Sequence, residues 1–192
     1  MQIQIIPANI FFHKTWSGGT STELFIYPPT ADYTKKDFQF RLSTATVEVE
    51  TSEFTELPGI FRKIMILEGE TELIHENQHS KLLRKFDKDS FKGDWKTKSI
   101  GRCVDFNLMT RSDITGNLKS LTLEAEQTVH YPLKNKCRFF FFYLYTGKIE
   151  IKINDLCQTL EKGDLLVFTD PGFAYFSILG LDDAEIVMVK IE

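Results

Sequence analysis

The sequence predicts an all-β protein built on an internal duplication. Three observations point to it: short runs of alternating β-branched and aromatic residues, turn formers between those runs, and an internal repeat. The runs are IQII, ELFIY, FQFRLSTATVEV, KIMIL, ETELI, CVDFNLM, LKSLTLE, RFFFFYLY, KIEIKI, DLLVF and AEIVMVKI. Gly18-Gly19, Pro58-Gly59, Glu68-Gly69, Gly116-Asn117, Asn154-Asp155 and Asp170-Pro171-Gly172 punctuate them. No amphipathic stretch of helical length competes, and short strands at regular spacing indicate a sandwich or closed barrel. The 17 phenylalanines suit strands and the space between packed sheets.

The repeat pairs IMILEGETELIHENQHSKLLRKFDKDSF with YLYTGKIEIKINDLCQTLEKGDLLVF. Gly69 and Gly147 take the same hairpin turn in this alignment, and Phe86-Asp87-Lys88-Asp89 lies opposite Leu160-Glu161-Lys162-Gly163. The first copy is then longer by four residues, which a surface loop absorbs. Each copy ends in a hydrophobic strand, CVDFNLM and AEIVMVKI.

With 192 residues, the chain can bury a core without disulfides or metal staples. A net charge of −4 and the lack of a dense Lys/Arg run argue against a nucleic-acid partner. No apolar run is long enough for a transmembrane helix. The start, MQIQIIPANIFF, has neither a basic n-region nor a small-residue cleavage site, so no signal peptide is expected. Cys103, Cys137 and Cys157 are odd in number and form no Cys-x-x-Cys. They read as buried or half-buried thiols in a reducing, cytoplasmic setting.

The second copy has the punctuation of a cupin barrel, with Gly163-Asp164 and Pro171-Gly172 at its turns. Longer stretches resemble something narrower, the HutD/Ves family. They are Trp16 to Leu24 (WSGGTSTEL), Phe40 to Glu48 (FRLSTATVE), Ser52 to Arg62 (SEFTELPGIFR), Leu67-Glu68-Gly69, Phe91 to Asp94 (FKGD) and Asp105 to Arg111 (DFNLMTR). Order and spacing agree from about residue 10 to 111, and the C-terminal half matches only as a generic cupin repeat. The resemblance implies an all-β bicupin of two barrels packed as one compact unit. Repeat one would span about 10–115 and repeat two about 116–192. It also implies a bacterial cytoplasmic protein linked to histidine utilisation or stress, with urocanate or a formylated amino acid as the proposed type of ligand. Ser17-Gly18-Gly19-Thr20 departs from the family pattern, having fewer glycines and no asparagine, which bears on ligand identity.

Most cupin enzymes use a metal held by a His-x-His pair, a glutamate and a later histidine. None of His13, His75, His79 and His130 forms His-x-His, and Phe173 to Phe176 follow Pro171-Gly172 where a histidine would be expected. No metal and no cofactor are therefore expected. His75 and His79 have the spacing of two ligands on one helical face, but HENQHSK lies between strand-like runs, so both read as solvated loop histidines. His130 reads as a satisfied strand or loop side chain. Asp87/Asp89 and Asp182/Asp183 read as solvated turn carboxylates.

The candidate ligand-binding residues are Trp16, Gly19, Thr20, Arg41, Ser43, Arg62, Asp105, Asn107 and Arg111. In CVDFNLMTR, alternation puts Asp105, Asn107 and Met109 on one face, with Arg111 continuing it. That face is either an ordinary wet strand surface or a polar set at the mouth of the first barrel, where Arg111 could clamp a carboxylate. Arg41 and Ser43 share a face with small apolar groups, so Arg41 is snorkelling, paired or facing a ligand. Arg62 is either a second cation of the site or an ion-pair partner that fixes its turn. The Gly18-Gly19-Thr20 segment is either a tight turn or an anion-wrapping loop, and Trp16 could stack on a flat ring.

There is no nucleophile elbow, Cys/His signature or dinucleotide fingerprint, so no catalytic residue is assigned. The favoured function is a metal-independent binder of a small polar or anionic metabolite, with a regulatory role in histidine utilisation. One alternative is a metal-free isomerase or hydrolase acting on a small carboxylate with Asp105 as base. The other is a structural or partner-binding protein, a homodimer formed through sheet edges.

Overall fold

The computed structural model describes residues 1–133 and 137–192. Alternation of apolar and polar residues lays the chain out as antiparallel strands whose apolar sides face inward. In chain order they are β1 (Gln2–Ile6), β2 (Phe12–Trp16), β3 (Gly19–Tyr27), β4 (Phe40–Val47), β5 (Thr51–Glu53), β6 (Ile60–Gly69), β7 (Thr71–His75), β8 (Ser80–Leu83), β9 (Lys88–Lys92), β10 (Thr97–Ile100), β11 (Cys103–Arg111), β12 (Gly116–Leu123), β13 (Thr128–Leu133), β14 (Phe139–Thr146), β15 (Lys148–Ile153), β16 (Leu156–Glu161), β17 (Leu165–Thr169), β18 (Ala174–Gly180) and β19 (Ala184–Ile191). Among the described residues, only two single-turn 3-10 segments, Ala8–Ile10 and Tyr33–Lys35, are helical.

Two compact units emerge. One is residues 11–115; the other is 116–192 together with 1–10. The first unit has a six-stranded sheet, ordered β2-β3-β4-β11-β6-β9, and a four-stranded sheet, β5-β10-β7-β8. The second has a five-stranded sheet, β1-β17-β14-β19-β12, and a four-stranded sheet, β13-β18-β15-β16. The N-terminal strand thus joins the C-terminal unit, pairing Gln2 to Ile6 with Thr169 to Leu165.

Backbone hydrogen bonds show how the units correspond internally. In the first, the Phe86 amide donates to the Ile66 carbonyl and the Ile66 amide to that of Asp87. In the second, the Gly163 amide donates to the Leu144 carbonyl and the Leu144 amide to that of Asp164. The side chains agree, since the Asp87 carboxylate accepts from the Arg84 amide and the Asp164 carboxylate from the Glu161 amide, both at 3.0 Å. Phe86 therefore corresponds to Gly163, not to Leu160. The expected four-residue excess in the first copy shrinks to one. Gly69 and Gly147 both have positive φ, 75° and 83°, and abut the first residue of the closing strand, Cys103 of β11 and Ala184 of β19.

The second unit is filled with rings. Phe140, Phe142, Phe168 and Phe176 pack with centroids 5.0–6.1 Å apart, beside buried Ile186 and Met188. The core of the first unit is split. Ile64, Ile66, Leu73, Leu83 and Phe91 form one cluster, and Phe38, Leu57, Ile60 and Met109 another. Cys103 and Cys137 are buried as expected, but Cys157 is exposed because it lies on β16, at the edge of its sheet.

Candidate functional site

Three neighbouring strands of the first unit, β4, β11 and β6, present polar side chains inward. Their register aligns Arg41 with Met109 and Met109 with Arg62, then Ser43 with Asn107, then Ala45 with Asp105. These residues line a cavity of about 190 Å³ that Trp16, Ser21, Tyr33 and Phe54 help to wall. Sequence alternation put Arg41 and Ser43 on one face, and Asp105 and Asn107 on one face. The structure brings all four together with Arg62.

Arg41 is held on both sides. Its Nε donates to Glu23 Oε2 at 2.7 Å, its Nη1 donates to Ser43 Oγ at 2.8 Å, and its guanidinium lies 4.5 Å from the Tyr33 ring centre. Arg62 is held differently. Its guanidinium lies over Phe54 at 4.5 Å and Phe91 at 5.3 Å, and its buried Nε has no hydrogen-bond partner. Burial pushes the Arg62 guanidinium down to about 10, against the favourable charge of Asp105.

Asp105 is 3% exposed. Burial raises its carboxyl to about 7, opposed by the Arg62 charge, by the Asn107 hydrogen bond and by a backbone hydrogen bond from Ala45. The Asn107 amide Nδ2 donates to Asp105 Oδ1, which turns Asn107 Oδ1 the other way, buried and without a partner. Arg62 and Asn107 thus both line one small cavity, and each buries a polar atom without a partner. Each lacks the partner that buried polar groups normally have. Together they would take a ligand carrying an anionic group and an N–H or O–H donor. Two guanidinium groups repel a cation, and imidazole ligands are missing from the lining, so this cavity does not fit a metal ion.

Three expected residues lie elsewhere. Arg111 is exposed at the end of β11, where its Nε donates to the Phe38 carbonyl at 2.9 Å and its Nη2 to that of Lys36 at 2.7 Å. It clamps the segment leading into β4 rather than a ligand. Gly19 is buried with a φ of 147°, and a Cβ there would collide with the Thr46 carbonyl oxygen. Thr20 pairs with Thr15 and Thr46, on the opposite side of β3 from cavity-lining Ser21. The anion-wrapping loop is thus a tight hairpin turn, with the Trp16 ring packed over Gly18. Trp16 itself does line the cavity.

The histidine and carboxylate expectations also need correction. His75 is 2% exposed and Asp89 is 8% exposed, so neither is a solvated loop group. His75 ends β7, and Asp89 faces inward on β9, two residues before buried Phe91. Alternation in KDSFK was the available signal for Asp89. Glu23, Tyr33 and Phe54 were missed because their roles depend on the Arg41 and Arg62 side chains reaching them across the site.

The HutD family model matches residues 8–184. No curated protein matches the sequence. Among solved structures, a conserved protein of unknown function from Pseudomonas aeruginosa PAO1 superposes with a TM-score of 0.86 at 20% identity, covering 100% of both chains. HutD from Pseudomonas fluorescens SBW25, in a formate condition, gives 0.74 at 18% identity, again over 100% of both chains. Bacillus subtilis oxalate decarboxylase gives 0.70 at 7% identity, covering 97% of this chain and 76% of the other. These likenesses are of fold, a cupin-type arrangement of antiparallel sheets in two repeats. No helix among the described residues is long and apolar enough to cross a membrane. With most of its length matched by the family model, the chain belongs to the HutD family.

Proposed function

We propose that this protein is a metal-independent binder of a small anionic metabolite, held in the Arg41/Arg62/Asp105/Asn107 cavity, and that it acts in the cytoplasm in the regulation of histidine utilisation. The observation that carries the reading is Arg62, a buried guanidinium whose Nε has no partner, in the same cavity as the unpartnered Asn107 Oδ1. Leaving both unsatisfied costs stability, and a ligand that satisfies both recovers it. The cavity, at about 190 Å³, is smaller than a drug-sized site and suits a metabolite. Trp16 and Tyr33 in its wall suit a flat or apolar ligand body.

Isothermal titration with urocanate and N-formylglutamate, in parent and Arg62→Met proteins, tests this. Saturable binding by the parent that is lost in the variant is expected. No heat from either acid, or equal affinity in both proteins, would count against it.

A second reading, an isomerase or hydrolase with Asp105 as general base, is favoured by one observation. Burial raises the Asp105 carboxyl to about 7, where a general base is most effective. It requires turnover of a small carboxylate by the parent, abolished in Asp105→Asn while binding persists.

A further inference from the structure

His75 and His79 are brought together by a hairpin rather than a helix. The His75 amide donates to the His79 carbonyl at 2.9 Å, and Asn77 takes a positive φ of 58° between them. This closed turn sets the two imidazoles side by side, with centroids 4.6 Å apart. Asp89 reaches them from β9, in the other sheet of the same unit. Its Oδ1 accepts from the Ser90 amide at 2.8 Å, and its Oδ2 lies 3.2 Å from His75 Nε2 and 3.0 Å from His79 Nε2.

The hydrogen bonds around His75 fix its orientation. The Thr97 hydroxyl donates to the Trp95 carbonyl at 3.2 Å, so its oxygen is left to accept from His75 Nδ1–H at 2.8 Å. In the neutral ring, the Nε2 lone pair then points at a carboxylate oxygen. Two lone pairs facing each other at that distance call for a positive species between them. Histidines that bind metal ions usually donate their other ring N–H to an acceptor that fixes the tautomer, and Thr97 Oγ1 is such an acceptor here.

We propose that His75 Nε2, His79 Nε2 and Asp89 Oδ2 form a binding site for a divalent zinc-class ion, separate from the Arg62 cavity. The three atoms lie within 4.8 Å of one another. Ligands about 2.0–2.1 Å from a tetrahedral zinc stand roughly 3.3 Å apart, close to the two N···O separations here. The donor set, two imidazoles and a carboxylate, suits zinc and disfavours calcium or magnesium. Phe91 and Trp95 wall the site, with ring centres 4.5 and 5.5 Å from that of His75. The His79 side chain is 40% exposed, so the fourth position opens to water. An ion there would tie the β7–β8 hairpin of the four-stranded sheet to β9 of the six-stranded sheet.

The competing occupant is a proton, which would make the cluster an imidazolium–carboxylate network. The test uses the full chain carrying Cys157→Ser, which removes the exposed thiol. This protein is titrated with zinc chloride by calorimetry and is melted with and without zinc. The expected result is one zinc ion per chain and a raised unfolding midpoint. His79→Ala, at the partly exposed ligand, leaves the fold intact, lowers affinity roughly tenfold or more and shrinks the zinc-dependent rise. Asp89→Asn weakens binding in the same direction. Absence of saturable zinc uptake, or a loss of less than roughly tenfold in His79→Ala, would overturn the proposal in favour of the proton network.

Discussion

Asp105 and Ile186 hold the same register position in their two repeats. Asp105 pairs with Ile66 across β11 and β6, and Ile186 pairs with Leu144 across β19 and β14, each beside a bulge in its ladder. Two residues on, Asn107 pairs with Ile64 where Met188 pairs with Phe142. Two further on, Arg62 faces Met109 where Phe140 faces Lys190. One scaffold therefore carries apolar groups at three positions in one unit and a guanidinium, a carboxyl and an amide in the other. The fold does not need those polar groups, and burying them costs stability. That cost without a packing gain is what supports the proposal of a ligand here.

Arg62→Met keeps an unbranched side chain between Phe54 and Phe91 and removes the charge. Arg62 Nε is buried without a partner, so replacing this cation by an apolar group of similar shape removes a desolvation cost and should leave stability unchanged or raise it. Loss of a charge-assisted hydrogen bond weakens anion binding on the order of 100-fold. Urea unfolding and ligand titration on the same preparation check both halves. A variant that is less stable and binds equally well would make Arg62 structural.

Asp105 makes stability depend on pH with a definite sign. Its carboxyl is raised to about 7 in the folded chain from an ordinary value of 3.8. Between those values the folded state holds a proton that the unfolded state has released, so stability falls as pH rises through this window and levels off above about 7. The effect is on the order of 4 kcal/mol across the window. The difference in unfolding free energy between parent and Asp105→Asn, measured at pH 5, 6, 7 and 8, should follow that slope. Anion affinity in the parent should weaken over the upper part of the same range, because an ionised Asp105 repels the ligand.

The strands were legible because their alternation is strong. Arg41, Ser43, Asp105 and Asn107 fell on the right faces for that reason alone. What alternation cannot give is reach. Arg111 continues the polar face of β11 in sequence, yet its guanidinium is taken by the Lys36 and Phe38 carbonyls, a contact 73 to 75 residues away. For His75 and His79, four-residue spacing is informative only on a helix, and it is a hairpin closing on itself that restores the proximity. Asp89 sits in KDSFK, where the alternation is present but short and highly charged, and only pairing with β6 makes the segment a strand. The repeat is visible in the sequence, but composition aligns it three residues out of place, because Glu161-Lys162-Gly163 resembles Asp87-Lys88-Asp89. Only the hydrogen bonds to Ile66 and Leu144 fix the true match.

The phenylalanine cluster of the second unit should act as structure alone. Phe142 is fully buried against Phe140, Phe168 and Phe176. Phe142→Ala is expected to cost about 3–5 kcal/mol in urea unfolding. Ligand affinity at the Arg62 cavity should stay unchanged wherever the variant is folded. A loss of affinity without a loss of stability would show that the second repeat takes part in binding.

Gly69 and Gly59 separate two reasons for glycine that are usually confounded. Both have positive φ, 75° and 78°. A Cβ at Gly59 meets nothing within 4 Å, whereas one at Gly69 would collide with the Arg102 carbonyl oxygen just before β11. Gly59→Ala therefore carries only the left-handed backbone penalty, about 1–2 kcal/mol. Gly69→Ala adds a backbone displacement at the start of the strand that carries Asp105 and Asn107. It should be the more destabilising in urea unfolding, and it should also weaken ligand binding, because Asp105 follows the contact by only three residues. Gly147→Ala faces the same collision with the Asp183 carbonyl in the second repeat. It should match Gly69→Ala in stability while leaving affinity alone, and equal loss of affinity in both variants would place the ligand outside the first unit.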